Sequence, residues 1–444
     1  MYSILAQINQ YFTDDNDFFK IDHKFNHENI TFIGINSLIN LPRTLDSIKE
    51  QLRNAEGVKT DIHSVLKYIG ETKTEIEDIQ TAILQGKLII CLENEANYAI
   101  VVNPIEQKLN RSIEAPVDES VLQGPLNAFN EDSNINIGLI RKEIVSEKLK
   151  TIHFSIGKDN KRSISLLYYN NGANGELIKK VIQHIEQNSD KELYNIQDMI
   201  KMLGLSSRNV MSQINTTAVP QEASIALLKG RIILFMDRTP YALVIPSVIW
   251  DMFSLESDRN FTFPLMVSLR TLRFIGFLIT LILPGLYVAL VSVNPEVLRI
   301  ELALSVAQSR EGVPYPALIE IMFMLLILEL ILEASVRLPK SIGPTITMVG
   351  GIILGQAVVQ AMLVSNLLII ILAAVTIANS TIVGIQNSIA IRLFKYLILI
   401  LASIFGVMGI LVGVFLVSSY LASINTFGVP YLNFNTSKGD IKSG

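Results

Sequence analysis

Three carboxylates interrupt an otherwise apolar run, "IEIMFMLLILELILEASVRLP" (Ile319–Pro339): Glu320, Glu329 and Glu333, with Arg337 one turn beyond the last. Glu329, Glu333 and Arg337 are four residues apart, so on a helix they share a face and Glu320 falls elsewhere. Glu333 can pair with Arg337. Glu329 lies deeper, and an unpaired carboxylate in hydrocarbon costs at least about 2.5 kcal/mol. It is expected to face protein, water or a cation, either in a polar inter-subunit or pathway role or in a structural pair. Further polar groups dot the apolar sequence that follows. Gln356 and Gln360 lie one turn apart and can join interhelical hydrogen bonds or line a pathway, and Asn379, Ser380 and Thr381 cluster together. Gly351 and Gly355 form a small-xxx-small pair that lets helices approach closely, and Gly409 and Gly413 form a second small-residue stripe.

Catalytic chemistry finds no comparable constellation. The five His are scattered, with no Ser, Cys or Asp arrangement that marks a triad. "GKDNKRS" (Gly157–Ser163) lacks the spacing of a phosphate loop and reads as a hairpin turn. Cys91 stands alone, so no intramolecular disulfide forms. No spacing of ligands predicts a metal or cofactor, and no basic cluster with interleaved aromatics predicts nucleic-acid binding. The expectation is a protein that is not an enzyme.

Charge divides the chain of 444 residues in two. Residues 1–273 carry most of the charge, at a net −5, whereas residues 274–444 carry +1 and most of the continuous hydrophobicity. This pattern predicts an α+β soluble region followed by an all-α membrane domain at 274–420. Apolar segments near 274–293, 318–338, 345–363, 366–386 and 394–418 are long enough to cross a bilayer core, giving four or five spans. An amphipathic helix near 295–310 is expected at an interface. Arg270 and Arg273, Arg337 and Lys340, and Arg392 and Lys395 fall on one side if the N-terminal region is cytoplasmic. The start lacks a basic segment followed by an apolar core, so no secretory signal is expected.

The soluble region contains an internal repeat. "ILQGKLIICLENEANYAIVV" (Ile83–Val102) matches "LLKGRIILFMDRTPYALVIP" (Leu227–Pro246) in its Gly-base pair, apolar run, acid, polar turn and Tyr-Ala. Each reads as a hairpin. Upstream, "ENITFIGINSLINLPRTLDSIKEQL" (Glu28–Leu52) resembles "KRSISLLYYNNGANGELIKKVIQHI" (Lys161–Ile185), a strand and turn leading into an amphipathic helix. Leu45, Ile48 and Leu52 stripe the first helix, and Leu177, Val181 and Ile185 the second. Two tandem modules of one fold are expected at 16–110 and 150–248. They follow an arm at 1–15, flank a linker at 111–149 that reads as solvated or as ending in a helix carrying Ile137, Ile140 and Ile144, and precede a juxtamembrane segment at 249–273. A tail at 421–444 closes the chain.

Five stretches carry a family resemblance: "LPGLYVAL" (Leu283–Leu290), "REGVPYPALIE" (Arg310–Glu320), "RLPKSIGPTI" (Arg337–Ile346), "VGGIILGQAVV" (Val349–Val359) and "FGVPYL" (Phe427–Leu432). The chain resembles the A-subunit family of GerA-type spore germinant receptors. The likeness extends through "NDFFKIDHKF", "QGPLNAFNED" and the second hairpin, although the Asp-Gly turns usual in the family read "GINSLIN" and "YYNNGAN" here. The resemblance implies a nutrient-sensing role in spore germination and residence in the spore inner membrane. It implies a transporter-like B subunit and a C-subunit lipoprotein as partners, contact with membrane lipid, and a homo-oligomer that forms or gates an ion path. A secondary transporter of a small solute, or a structural scaffold for the B subunit, are the alternatives.

Overall fold

The computed structural model describes residues 4–25, 28–56, 62–92, 98–107, 127–170, 174–337 and 343–433. Linker residues 111–126, Lys340, the tail beyond Asn433 and the side chain of Leu52 lie outside the described set.

A short helix α1 (Ile4–Tyr11) leads into the first module: β1 (Phe18–Phe25), β2 (Glu28–Ile35), α2 (Leu41–Glu56), α3 (Ile62–Ile69), β3 (Glu71–Lys73), α4 (Ile76–Leu84), β4 (Leu88–Leu92) and β5 (Ala99–Val102). A connecting helix α5 (Ser133–Glu143) follows. The second module contains β6 (Leu149–Ile156), β7 (Arg162–Tyr169), α6 (Gly175–Gln187), α7 (Ile196–Met202), β8 (Asn215–Thr217), α8 (Pro220–Leu228), β9 (Ile232–Met236) and β10 (Ala242–Ile245). The sheets run β1-β2-β4-β5-β3 and β6-β7-β9-β10-β8, so the strand order is the same in both modules. All neighbouring pairs are antiparallel.

The repeated Gly-base pair has a local cause. Gly86 (φ 80°) and Gly230 (φ 86°) both adopt left-handed backbone just after α4 and α8. Lys87 N then donates to Ala82 O (2.9 Å), and Arg231 N to Ala226 O (3.0 Å). These bonds satisfy carbonyls that a helix end leaves free, and glycine adopts that conformation without a Cβ penalty. The helix therefore stops and the central strand begins at matching places. Strand alternation distributes the core: Ile232, Leu234 and Met236 of β9 pack with Leu177, Val181 and Ile185 of α6. The intervening Ile233 and Phe235 face α5 and α8. "GKDNKRS" forms the β6–β7 turn, with Gly157 at φ 103°.

The described part of the linker is a packed joint: its C-terminal end is the helix α5, carrying Ile137 and Ile140, with Ile144 just after it, rather than a solvated segment. Asp132 caps α5 by accepting from Asn134 N (2.8 Å). Ile137, Ile140 and Ile144 are buried against Ala223 and Leu227 of α8, while Ile135 and Leu139 pack on the first module's core. Between the modules, Arg141 is 2% exposed and pairs with Asp15 (2.7 Å) and Asp17 (2.6 Å). Ser37 Oγ also donates to Asp17 (2.6 Å). Burial opposes the Arg141 charge, but the Asp17 and Asp15 carboxylates outweigh it and raise the guanidinium pKa. Nearby, His153 Nδ1 sits 2.9 Å from Ser165 Oγ.

The helical part comprises α9 (Phe263–Val288), α10 (Ile300–Ser309), α11 (Ala317–Arg337), α12 (Gly343–Gln360), α13 (Asn366–Asn379) and α14 (Ile385–Ser423), then a strap with the two-residue strands β11 (Asn425–Thr426) and β12 (Val429–Pro430). Among the described residues, two stretches, Phe263–Val293 and Ile385–Ser423, are long and apolar enough to cross a membrane by length and composition. The second is not one straight rod. Gly406 (φ 61°, ψ −138°) breaks it. Beyond the break, a Cβ on Gly409 would fall 2.0 Å from Leu401 O, and one on Gly413 2.8 Å from Ile398. Eight residues of straight helix would separate Gly409 from Leu401 by about 12 Å. The chain has reversed, and Phe394 meets Tyr420 across the two arms (5.6 Å). The expected single span at 394–418 is thus a turn with a helix on each side.

Arg141→Met would leave Asp15 and Asp17 buried without a counter-charge, which typically costs about 3–5 kcal/mol. The urea midpoint of the full chain in detergent should fall accordingly, and adding Asp15→Asn and Asp17→Asn should restore most of it. An unchanged midpoint would count against the joint. His153 supplies a pH signature. Burial, its largest influence, lowers its pKa; Asp17 and Asp15 act to raise it, and Arg141 to lower it. A depressed folded pKa gives stability that is complete above the unfolded value, about 6.5, and is lost as pH falls toward the folded value. A His153→Gln variant should flatten that acid limb of the stability curve.

Candidate functional site: polar joints among the apolar helices

The helices begin at a charged junction with the second module. Asp258 holds Arg273 through two bonds (2.5 and 2.8 Å), and Arg273 also donates to Phe253 O (3.1 Å). Arg231 and Asp251 form a two-bond pair at 2.8 Å each. Lys229 pairs with Glu256, and burial lowers the Lys229 pKa against the opposing pull of that carboxylate. A cleft of about 640 Å³ opens between β8, these groups and the α13–α14 turn. Lys229, Arg231, Arg273 and Arg392 line it, yet each is already answered by a carboxylate. The cleft is therefore polar but close to charge balance. Asn379 is 9% exposed, lines the cleft and donates to Ser388 Oγ (2.8 Å).

Deeper among the helices, Glu329 of α11 accepts from Arg392 Nη1 (2.5 Å) and Lys395 Nζ (3.3 Å), both on the first arm of α14. Tyr396 Oη reaches the same carboxylate at 3.5 Å. Glu329 thus faces protein, and its neighbours are two fixed cations rather than Arg337. Sequence spacing along one helix pointed to α11 alone. The missed signal was that Arg392 and Lys395 interrupt α14 just as Glu329 interrupts α11. Glu333 and Arg337 form an exposed i, i+4 pair (2.6 Å).

A second joint lies at the other end of the bundle. Glu320, 1% exposed, accepts from Ser365 N (2.7 Å) and Tyr287 Oη (3.2 Å), and Arg310 Nε stands 3.4 Å away. One carboxylate thereby ties α9, α11, the residues after α10 and the start of α13. The sequence reading left Glu320 without a role because all its partners are distant in the chain.

The remaining residues of interest do not converge on these joints. Gln356 and Gln360 of α12 are exposed. Among the described residues, a Cβ built on Gly351 or Gly355 meets nothing within 4 Å, so that face of α12 is open there. Gly409 and Gly413 instead sit at the contact between the α14 arms. No group of three or more metal-ligating side chains occurs among the described residues.

Glu329→Leu would strand Arg392 and Lys395. Because the Glu329 side chain is 30% exposed, the cost should fall below that of a fully buried pair, at about 1–3 kcal/mol. Thermal unfolding in detergent should show a lowered midpoint, largely recovered when Arg392→Met and Lys395→Met are added. An unchanged midpoint would remove Glu329 as a joint.

Comparison with known proteins places this architecture. The family described as "Bacillus/Clostridium GerA spore germination protein" matches residues 6–442. The chain is 34% identical to spore germination protein GerLA of Bacillus cereus over 362 residues, spanning 81% of this chain and 73% of the relative. It is 31% identical over 399 residues to the uncharacterized membrane protein YfkQ of Bacillus subtilis (strain 168), spanning 89% and 75%. Similarity to spore germination protein GerQA of Bacillus cereus is 29% over 433 residues, spanning 96% and 86%. Among solved structures, the N-terminal domain of the A subunit of the Bacillus megaterium germinant receptor GerK3 aligns with a TM-score of 0.40 at 20% identity, covering 55% of this chain and 94% of that one. The chain belongs to the GerA family of spore germination proteins, the A-subunit family of spore germinant receptors.

Proposed function

We propose that the chain acts as the A subunit of a nutrient-sensing germinant receptor in the spore inner membrane, with its two modules on the cytoplasmic side. It works with a transporter-like B subunit and a lipoprotein C subunit. Several copies together form or gate the ion path that starts germination. The observation that carries this reading is the open face of α12. Among the described residues nothing lies within 4 Å of a Cβ built on Gly351 or Gly355, and Ile352 and Ile353 beside them are 55% and 61% exposed. Small residues on an apolar helix fit close packing against another membrane helix, here one from a second copy. Gln356 and Gln360 project from the same helix and supply polar groups to such a contact or to a path beside it. The Glu329 joint supports a gating role, because it holds α11 to α14 by charge rather than by shape alone.

Subunit counting on detergent-extracted protein, followed by ion flux from proteoliposomes, tests the proposal. A defined oligomer with flux is expected, and Gly355→Leu should break the oligomer by holding helix backbones apart. Glu329→Gln should change flux while leaving copy number intact. Stoichiometric solute uptake would instead favour a transporter. A monomer with neither activity would overturn the ion-path reading and leave a scaffold.

A further inference from the structure

The last fifty residues do more than add one helix. The first arm of α14, about 21 residues or roughly 31 Å of helix, runs alongside α9 in the same direction. Two close approaches fix this, Gly285 against Ile398 and Ala402 and Asn294 against Gly406, while Gly276, nearer the start of α9, meets Ala378 and Thr381 just before the arm begins. Asn294 Oδ1 accepts from Val407 N (3.1 Å), so α9 and the α14 turn end together. The return arm, about 17 residues or 25 Å, leads back toward the modules.

There it is fastened at several points. Tyr420 Oη accepts from Val210 N (2.8 Å) in the loop after α7. Gln213 Nε2 donates to Asn425 O (3.2 Å). The β11–β12 turn sets the Phe427 ring 5.6 Å from His184 of α6, and Phe427 and Val429 pack on the second module's core. Tyr431 is 1% exposed; its carbonyl accepts from Ile249 N (3.1 Å) and its amide donates to Ile424 O (2.9 Å). Trp250 Nε1 donates to Asn433 O (2.9 Å). The strap thus grips both the module and the segment that leads into α9.

We infer that residues 424–433 form a tether that fixes the return arm of α14 to the second module, on the module side of the membrane, so that movement of that module is delivered to the Gly406 turn at the far end. The bonded parts explain why. A helix resists bending, so displacement at Tyr420 is carried along the arm. At Gly406 the chain has a left-handed conformation and sits where a Cβ would lie 1.8 Å from Asn294 Oδ1. The turn cannot absorb displacement without disturbing the end of α9. The sidedness, though not the grip, rests on the membrane reading above.

Single cysteines test sidedness in sealed vesicles with a membrane-impermeant maleimide. Native Cys91 is 4% exposed, with its thiol pushed up to about 12 by burial, so it stays unlabelled. Ser423→Cys should label from the same face as Lys161→Cys, and Glu311→Cys from the opposite face. Labelling of Ser423→Cys with Glu311→Cys overturns the tether alone. Labelling of all three from one face overturns the membrane reading and the sidedness with it. The grip is tested by amide hydrogen exchange on the full chain in detergent. Phe427→Ala should speed exchange about tenfold or more at both Val210 and Ile249, which belong to different elements. Tyr420→Phe, a change of one hydroxyl, should speed Val210 alone. Acceleration confined to residues 424–433 in Phe427→Ala would overturn the tether.

Discussion

An ionised side chain among apolar groups must find an opposite charge, and each joint of this protein satisfies that demand. Arg141 meets Asp15 and Asp17 between the modules. Arg231 meets Asp251, and Arg273 meets Asp258, where the second module gives way to the helices. Arg310 approaches Glu320, and Arg392 meets Glu329, inside the helical part. Such pairs add little net stability over apolar packing, but they are costly to break by halves. They therefore specify which surfaces meet. Apolar helix faces are interchangeable by comparison, and α9, α11 and α14 have many such faces.

The two modules solve the core differently from the joints. Their central strands are buried along their whole length, as in β4 and β9. Both faces of such a sheet need cover; in the second module α6 and α7 cover one face and α5 and α8 the other. The shared Gly-base signal at Gly86 and Gly230 sets where the covering helix stops, so the same chain path recurs. The modules differ in their surroundings. The second is held by the strap and the segment that leads into α9, while the first connects through α5 and the Arg141 joint.

The helical part combines rigid and open features. The reversal at Gly406 brings Gly409 and Gly413 against the first arm, which removes their surfaces from any outer contact. Gly351 and Gly355 have no such neighbour among the described residues. Two glycine stripes of similar sequence thus meet different fates. The two stripes differ by what surrounds them, since the fold-back of α14 supplies a neighbour for one and not for the other.

The sequence alone determined the local and periodic features. Strand alternation, helix stripes such as Leu177, Val181 and Ile185, and the Gly-base punctuation are short-range signals. They were enough to read two similar α+β modules before an apolar region, and long ordered motifs were enough for the family. The Glu333–Arg337 pair was equally legible, because four-residue spacing sets it. Tertiary structure decided what depends on distant partners. Glu329 could not be assigned to Arg392 and Lys395 from spacing, since they lie 63 and 66 residues away. Nor could spacing assign Arg141 to Asp17 and Asp15, which lie 124 and 126 residues upstream. The apolar composition of Ile385–Ser423 is the same whether the chain runs straight or folds back, so hydropathy could not reveal the turn. That choice was made at Gly406, where a left-handed backbone and the side chain of Asn294 reverse the helix.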